Sequence, residues 1–341
     1  MKSLVWTRPE MMEIQEGVEP VMAEEEVLLK VDAVGICGSE LEGYLGHNSL
    51  RVPPLVMGHE FSGTIAGVGS RVQGLKTGQK AVVNPLSSCG RCNSCRKGLV
   101  QLCKERSIVG IHRPGAFAEY VNVPAASIHI IPETLNPFRA SLTEPLACSL
   151  RAVRRAMADH PFANVVVIGA GTIGLLSFLV ARILGASRVV VVDMNEARLQ
   201  TPKRLGAYGT ISPAEPGYIG KIRDAMGPSG IDVVIDAVGY QPTRSAAIEL
   251  VNPGGTVMNI GLGIDQTQLP VNVCIRSEIS ILHSFCYQAQ DFHDALQLLV
   301  NGQIDETGWS EIRPLHEGNQ AFQDLLQGSV RNAKIFLKVE E

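Results

Sequence analysis

The chain has 341 residues, 45% of them hydrophobic and 19% charged, with a formal net charge of −4 at pH 7. That length accommodates two domains with their own cores, and the balance of charge lacks the basic excess expected of a nucleic-acid binder. No apolar run reaches membrane-spanning length, and the opening MKSLVWTRPEMMEIQEGVEP has no signal-peptide apolar core, so a cytoplasmic protein without membrane association is expected. In that compartment the eight cysteines read as thiols, and where they are closely spaced they suggest metal more than disulfide.

Residues 1 to about 145 read as mostly β. Val27–Val34 is a β-branched run ending at Gly35, and Phe61–Gly69 and Gln79–Val83 add short strands punctuated by glycine, as in a barrel-like β domain. Between these strands stand Cys37-Gly38-Ser39 and Gly58-His59-Glu60. A soft thiolate, an imidazole and a carboxylate from separate segments suit a zinc that keeps one position open. A buried cysteine in a strand and a surface histidine in a turn would read the same way.

The lobe at 84–106 breaks the β pattern. Cys89, Cys92 and Cys95 are followed by Cys103, and four thiolates so placed can close a tetrahedral zinc site and stabilise a loop that lacks its own core. An iron–sulfur cluster or redox-active thiols would use the same residue type.

From about residue 147 the composition changes. The apolar strand Val165–Ile168 runs into Gly169-Ala170-Gly171-Thr172-Ile173-Gly174, an apolar helix follows to Leu184, and the strand Arg188–Val192 ends at Asp193. This is a dinucleotide-binding turn in its expected context. The first glycine makes the turn, the second admits the pyrophosphate, the third lets helix and strand pack, and the helix N-terminus faces the phosphates. Asp193 can accept hydrogen bonds from the adenosine ribose and would repel a 2′-phosphate, which predicts NAD rather than NADP. Strands expected at 231–236, 256–260 and 279–285 alternate with helices at 196–206, 217–226 and 243–251, giving a doubly wound parallel sheet. Helices at 291–300 and 321–326 and a strand at 334–339 form a tail expected to rejoin the first domain.

With these motifs in order, the whole chain resembles the zinc-dependent medium-chain dehydrogenases, closest to their sorbitol, threonine and sugar-acid branch. C-G-S, G-H-E, C-x₂-C-x₂-C-x₇-C, E-P-L-A and G-x-G-x-x-G carry the resemblance jointly. It implies an α/β protein: a GroES-like catalytic domain over 1–146, a Rossmann domain over 147–286, and a return to the catalytic domain over 287–341. Cys37 and His59 would ligate a catalytic zinc, with Glu60 or Glu144 supplying the carboxylate. Cys89, Cys92, Cys95 and Cys103 would hold a structural zinc. Gly169, Gly171, Thr172, Ile173, Gly174, Asp193 and Arg198 would contact NAD. Ser39 matches the hydroxyl that relays the substrate proton, while Cys148, Cys274 and Cys286 match no ligand and are expected as buried thiols.

The implied reaction takes hydride from a secondary hydroxyl of a polyol, sugar acid or related small alcohol to NAD. A threonine-type amino-alcohol dehydrogenase is the nearest alternative, and a non-catalytic NAD-binding protein a more distant one. A homo-oligomer, dimer or tetramer, is expected. Three positions depart from the family. Glu40 replaces the usual Asp, Glu42 stands where many members have a relay His, and Arg151 follows E-P-L-A where His is common. Tyr44, His47 and Arg51, in the stretch between Glu42 and Pro54, are expected near the substrate.

Overall fold

The computed structural model describes residues 1–47 and 50–339, so two positions of the Glu42–Pro54 stretch lie outside the described residues. The chain forms two compact units, one made of Met1–Glu144 with the segment from Gln288 onward, the other of Pro145–Tyr287.

The first unit is built on a seven-stranded sheet around the strand Glu26–Gly35, whose alternate residues Val27, Leu29 and Val31 are buried. That alternation is what one packed face produces. Glu26–Gly35 pairs antiparallel with Glu60–Val68, Tyr120–Pro124 and Lys334–Lys338. A segment far along the chain is therefore hydrogen-bonded beside the strand that leads to Cys37. Trp6, Phe61, Phe117 and Phe322 fill the core, and Phe322 packs edge-on against Phe117 with ring centroids 5.9 Å apart.

The second unit holds six parallel strands. Their order is Gly209–Ile211, Arg188–Val192, Asn164–Ile168, Val233–Asp236, Thr256–Asn259, Ser280–His283. In chain order this reads 3-2-1-4-5-6, the doubly wound arrangement with its reversal beside the first strand. The valine-rich runs follow from that layout, because a parallel sheet covered on both faces has no solvent side for polar residues. All five residues of Asn164–Ile168 are buried. The helix Thr172–Ile183 packs back on this strand, and Gly174 permits the contact: a Cβ there would lie 1.8 Å from the Gly169 carbonyl oxygen.

Several elements have weak signals in the sequence. The hairpin Lys2–Arg8/Met11–Glu16, the helices Gly38–Tyr44 and Val271–Arg276, and the strand Ser310–Pro314 all belong here. Among the extra cysteines only Cys274 is buried, whereas Cys148 and Cys286 are half-buried, correcting the expectation of three buried thiols.

Gly174→Ala is expected to destabilise the protein by about 3 kcal/mol, the upper end of the overpacking range, because the obstruction is backbone that cannot rotate away. Gly171→Ala, where a Cβ meets nothing within 4 Å, should leave stability within about 0.5 kcal/mol of the parent. Urea unfolding of both variants measures the contrast.

Candidate metal centre and nucleotide turn

Sheet register assembles the first site. Gly35 pairs directly with Glu60, so the residues after one strand and before the other arrive side by side. Cys37 caps the N-terminus of the helix Gly38–Tyr44. Gly58 turns the opposing segment with φ +100°, and a Cβ there would fall 2.7 Å from the Phe117 amide nitrogen, so glycine is required on both counts. The result is that one ligand atom each from Cys37, His59 and Glu60 lie within 4.8 Å of one another.

Glu40, on the first turn of that helix and fully buried, ties the two segments together. Its carboxylate accepts from the Cys37 N–H at 3.0 Å, the Gly58 N–H at 2.8 Å and His59 Nδ1 at 2.8 Å. A carboxylate can only accept, so Nδ1 carries the proton in this pair and Nε2 is left with the lone pair a metal needs. Burial would raise the Glu40 pKa, but the His59 imidazole and then the Arg51 guanidinium hold it below the usual carboxylate value. Burial would likewise depress His59, yet Glu40 and then Cys37 carry it well above the ordinary imidazole range.

Glu60 is buried and ion-paired with Lys334, a buried lysine that also donates to the Ile36 carbonyl at 2.9 Å. Sequence reasoning passed over Lys334. Its signal was a lysine at the start of an otherwise apolar closing strand. Glu144, the other candidate carboxylate, is buried in the first turn of the helix Thr143–Ala156 and is not part of the gathered set. Ser39 is half-buried, with its hydroxyl 3.4 Å from Cys37 Sγ.

The neighbouring stretch corrects one expectation. Tyr44 does not face a substrate: it is buried, donates to the Glu10 carbonyl at 2.6 Å and packs on Phe322. Arg51 is buried and donates to Ser39, on the helix that follows Cys37. His47 is exposed, 3.4 Å from Glu42.

The second cluster stands in the lobe. Sγ atoms of Cys92 and Cys95, and of Cys103 and Cys89, are 3.5 Å apart, and those of Cys89 and Cys95 4.0 Å. Four sulfurs about 2.3 Å from a tetrahedral zinc would be separated by about 3.8 Å, so the donors fit that ion, and the spacings are too long for disulfides. Hydrogen bonds from the Arg91 and Cys92 amides bring the Cys89 thiol down to about 7, favouring the thiolate a metal requires.

In the other unit Gly169 makes the turn after the first strand with φ +103°. Gly171 precedes the helix Thr172–Ile183 and has open space where a side chain would be, the room a diphosphate needs. Thr172 and Ile173 form the half-buried first turn, and Gly174 lies beneath. Asp193 ends the second strand. One carboxylate oxygen accepts from the Ala170 N–H at 2.6 Å and the other from the Asn195 N–H at 2.7 Å, which fixes its orientation beside the turn. Arg198, on the following helix, keeps a buried Nε without a partner among the described residues. Asp236 was not anticipated: fully buried, it accepts from the Val238 and Gly239 amides and from Thr243, and so shapes the loop after the fourth strand.

Known proteins resemble this chain over most of its length. Residues 23–133 match the family model described as alcohol dehydrogenase GroES-like domain, and residues 172–301 match zinc-binding dehydrogenase. The chain is 34% identical to L-galactonate-5-dehydrogenase of Escherichia coli over 303 residues, covering 89% of this chain and 86% of that protein. It is 33% identical to a probable D-xylulose reductase A of Aspergillus clavatus over 317 residues, covering 89% and 87%. The crystal structure of a zinc-binding dehydrogenase from Sinorhizobium meliloti bound to NADP superposes with a TM-score of 0.92 at 30% identity, covering 99% of this chain and 98% of that one. The chain belongs to the zinc-dependent medium-chain dehydrogenases, as a member of their sugar and polyol branch with a GroES-like and a Rossmann-type domain.

Proposed function

We propose that this protein oxidises a secondary hydroxyl of a small polyol or sugar acid, with NAD as hydride acceptor and two zinc ions per chain. The gathered Cys37, His59 and Glu60 carry this reading, since a thiolate, an imidazole and a carboxylate braced by Glu40 suit a catalytic rather than a closed zinc. Those three side chains would hold the metal, with Glu144 as the carboxylate able to replace Glu60. Cys89, Cys92, Cys95 and Cys103 would hold a structural ion. Bound zinc supplies Lewis-acid polarisation of the substrate oxygen, and the nicotinamide supplies the hydride acceptor.

The chain's own groups do the rest. Ser39 takes the substrate hydroxyl proton on a lone pair of its oxygen while its own proton leaves to water. Gly171 and the helix behind it receive the cofactor diphosphate, Asp193 accepts from the adenosine ribose hydroxyls, and Thr172, Ile173 and Arg198 complete the nucleotide contacts. The strand Ser280–His283 is an edge of the parallel sheet, and the same unit exposes the apolar side chains Leu262, Val271 and Ile275, which supports pairing with a second copy of the chain, because unpaired strand edges favour association. Two thiolate-containing ligand sets suit a reducing, cytoplasmic setting.

A screen for NADH formation with xylitol and other polyols, L-galactonate and other aldonates, threonine and simple alcohols tests the activity. Turnover with polyols or aldonates is expected, and turnover confined to threonine would transfer the protein to the amino-alcohol reading. Metal analysis should find close to two zinc ions per chain. Cys92→Ser should lower stability and solubility, and Cys37→Ser should abolish activity with the fold kept; one zinc, or iron, in well-metallated protein would refute the assignment. Asp193→Ala should narrow the preference for NAD in steady-state kinetics, and parent activity equal or better with NADP would remove Asp193 as the ribose anchor.

A further inference from the structure

Arg51 is a buried cation that the reaction outlined above does not use. Its side chain is 3% exposed, and among the described residues both of its hydrogen bonds go to one residue. Nη1 donates to the Ser39 carbonyl at 3.0 Å and Nη2 to the Ser39 hydroxyl oxygen at 3.2 Å, while Nε is buried without a partner. The Glu40 carboxylate lies near enough to interact with the guanidinium electrostatically, but both hydrogen bonds go to neutral Ser39 and one N–H is orphaned, which is costly for stability in a buried place. The arm also needs a gap in the helix Gly38–Tyr44. A Cβ on Gly43 would stand 2.6 Å from Arg51 Cδ, in the middle of the arm where rotation of the far end gives no relief. Gly43 has no positive φ that would call for glycine, and alanine is the better helix former, so the glycine serves the passage of Arg51.

We propose that Arg51 is a positioning residue that holds Ser39 in the one rotamer able to exchange a proton with the substrate. Gripping the carbonyl and hydroxyl of the same residue with a rigid fork fixes Ser39 χ1, which a lysine, with a single point of attachment, cannot do. One lone pair of the hydroxyl oxygen is taken by Arg51, and the hydroxyl proton, directed at Cys37 Sγ at rest, turns to water and leaves as the substrate proton arrives. The remaining lone pair is left for the substrate. This inference rests on the relay role proposed for Ser39.

The test measures oxidation kinetics, zinc content and thermal unfolding for Ser39→Ala, Arg51→Met, Arg51→Lys, Gly43→Ala and the Ser39→Ala/Arg51→Met double variant. Ser39→Ala should lower kcat at least about 10²-fold, the lower range for a general acid–base group. Arg51→Met should lower kcat by about 10²-fold with little change in KM, as for a misplaced catalytic group, and Arg51→Lys should recover only part of it. The double variant should be no slower than Ser39→Ala alone, since both changes remove the same function. Gly43→Ala should lose turnover in the same direction with its zinc content kept. Cobalt-substituted protein gives a readout independent of turnover: Arg51→Met should shift the thiolate-to-cobalt absorption band in the direction that Ser39→Ala does, because both weaken the hydrogen bond to Cys37. Full turnover in Ser39→Ala would sink the relay and this inference with it. An impaired Ser39→Ala beside a fully active Arg51→Met, multiplicative losses in the double variant, or full turnover in Gly43→Ala would overturn the role of Arg51 alone.

Discussion

The metal centre depends on one carboxylate. Glu40 accepts three hydrogen bonds from two chain segments, and without it Cys37 and His59 would be joined only through the neighbouring strands. A fully buried carboxylate is tolerable only when its oxygens are occupied, and here the donors are the parts that have to be held still. An aspartate on the same helix turn would be one methylene shorter. The additional methylene of glutamate lets the side chain fold back to the Cys37 amide, as in a helix capping box, while still spanning to Gly58 and His59.

Around this brace the charges are set for a dication. Glu40 and Glu60 supply carboxylates, Cys37 would add a thiolate on binding a metal, and Arg51 and Lys334 supply two cations close by. A doubly charged metal tips the balance positive, which favours negative charge on a substrate oxygen. Lys334 also keeps Glu60 from being a free buried anion, and Gly35 makes room for the pair: a Cβ there would fall 2.5 Å from Lys334 Cε and 2.7 Å from a Glu60 carboxylate oxygen. The glycine that ends the strand before Cys37 is thus a packing requirement of the site as much as a turn.

Local patterns were legible where chemistry and spacing coincide. The thiolate quartet, the glycine turn between strand and helix and the valine-rich strands each have a periodicity or ligand arithmetic that survives without tertiary context. What escaped was set by tertiary contact. The helix Gly38–Tyr44 has seven residues, too few for a hydrophobic period, so its pattern did not mark Tyr44 as core, and Glu40 drew notice only through the family resemblance. Arg51 and Lys334 are charged residues that the usual preference places at the surface, and only the assembled sheet reveals the acceptors that draw them in. Asp236 likewise ends an apolar run like many solvent-facing aspartates, yet two amides of the next loop and the Thr243 hydroxyl of the helix after it surround it.

The return of the chain to its first unit sets an order of assembly. Glu60 and the strand Glu26–Gly35 are synthesised early, whereas Lys334 follows the whole of Pro145–Tyr287. On the ribosome the emerging first unit lacks both the strand beside Gly35 and the counter-ion of Glu60, while the second unit has all six of its strands in one uninterrupted stretch. Folding in synthesis order therefore completes the nucleotide unit before the unit that began first. A nascent chain at that stage carries Cys37, His59 and their Glu40 brace but not the Lys334 partner of Glu60, so the finished site with its full charge balance comes at the end of synthesis.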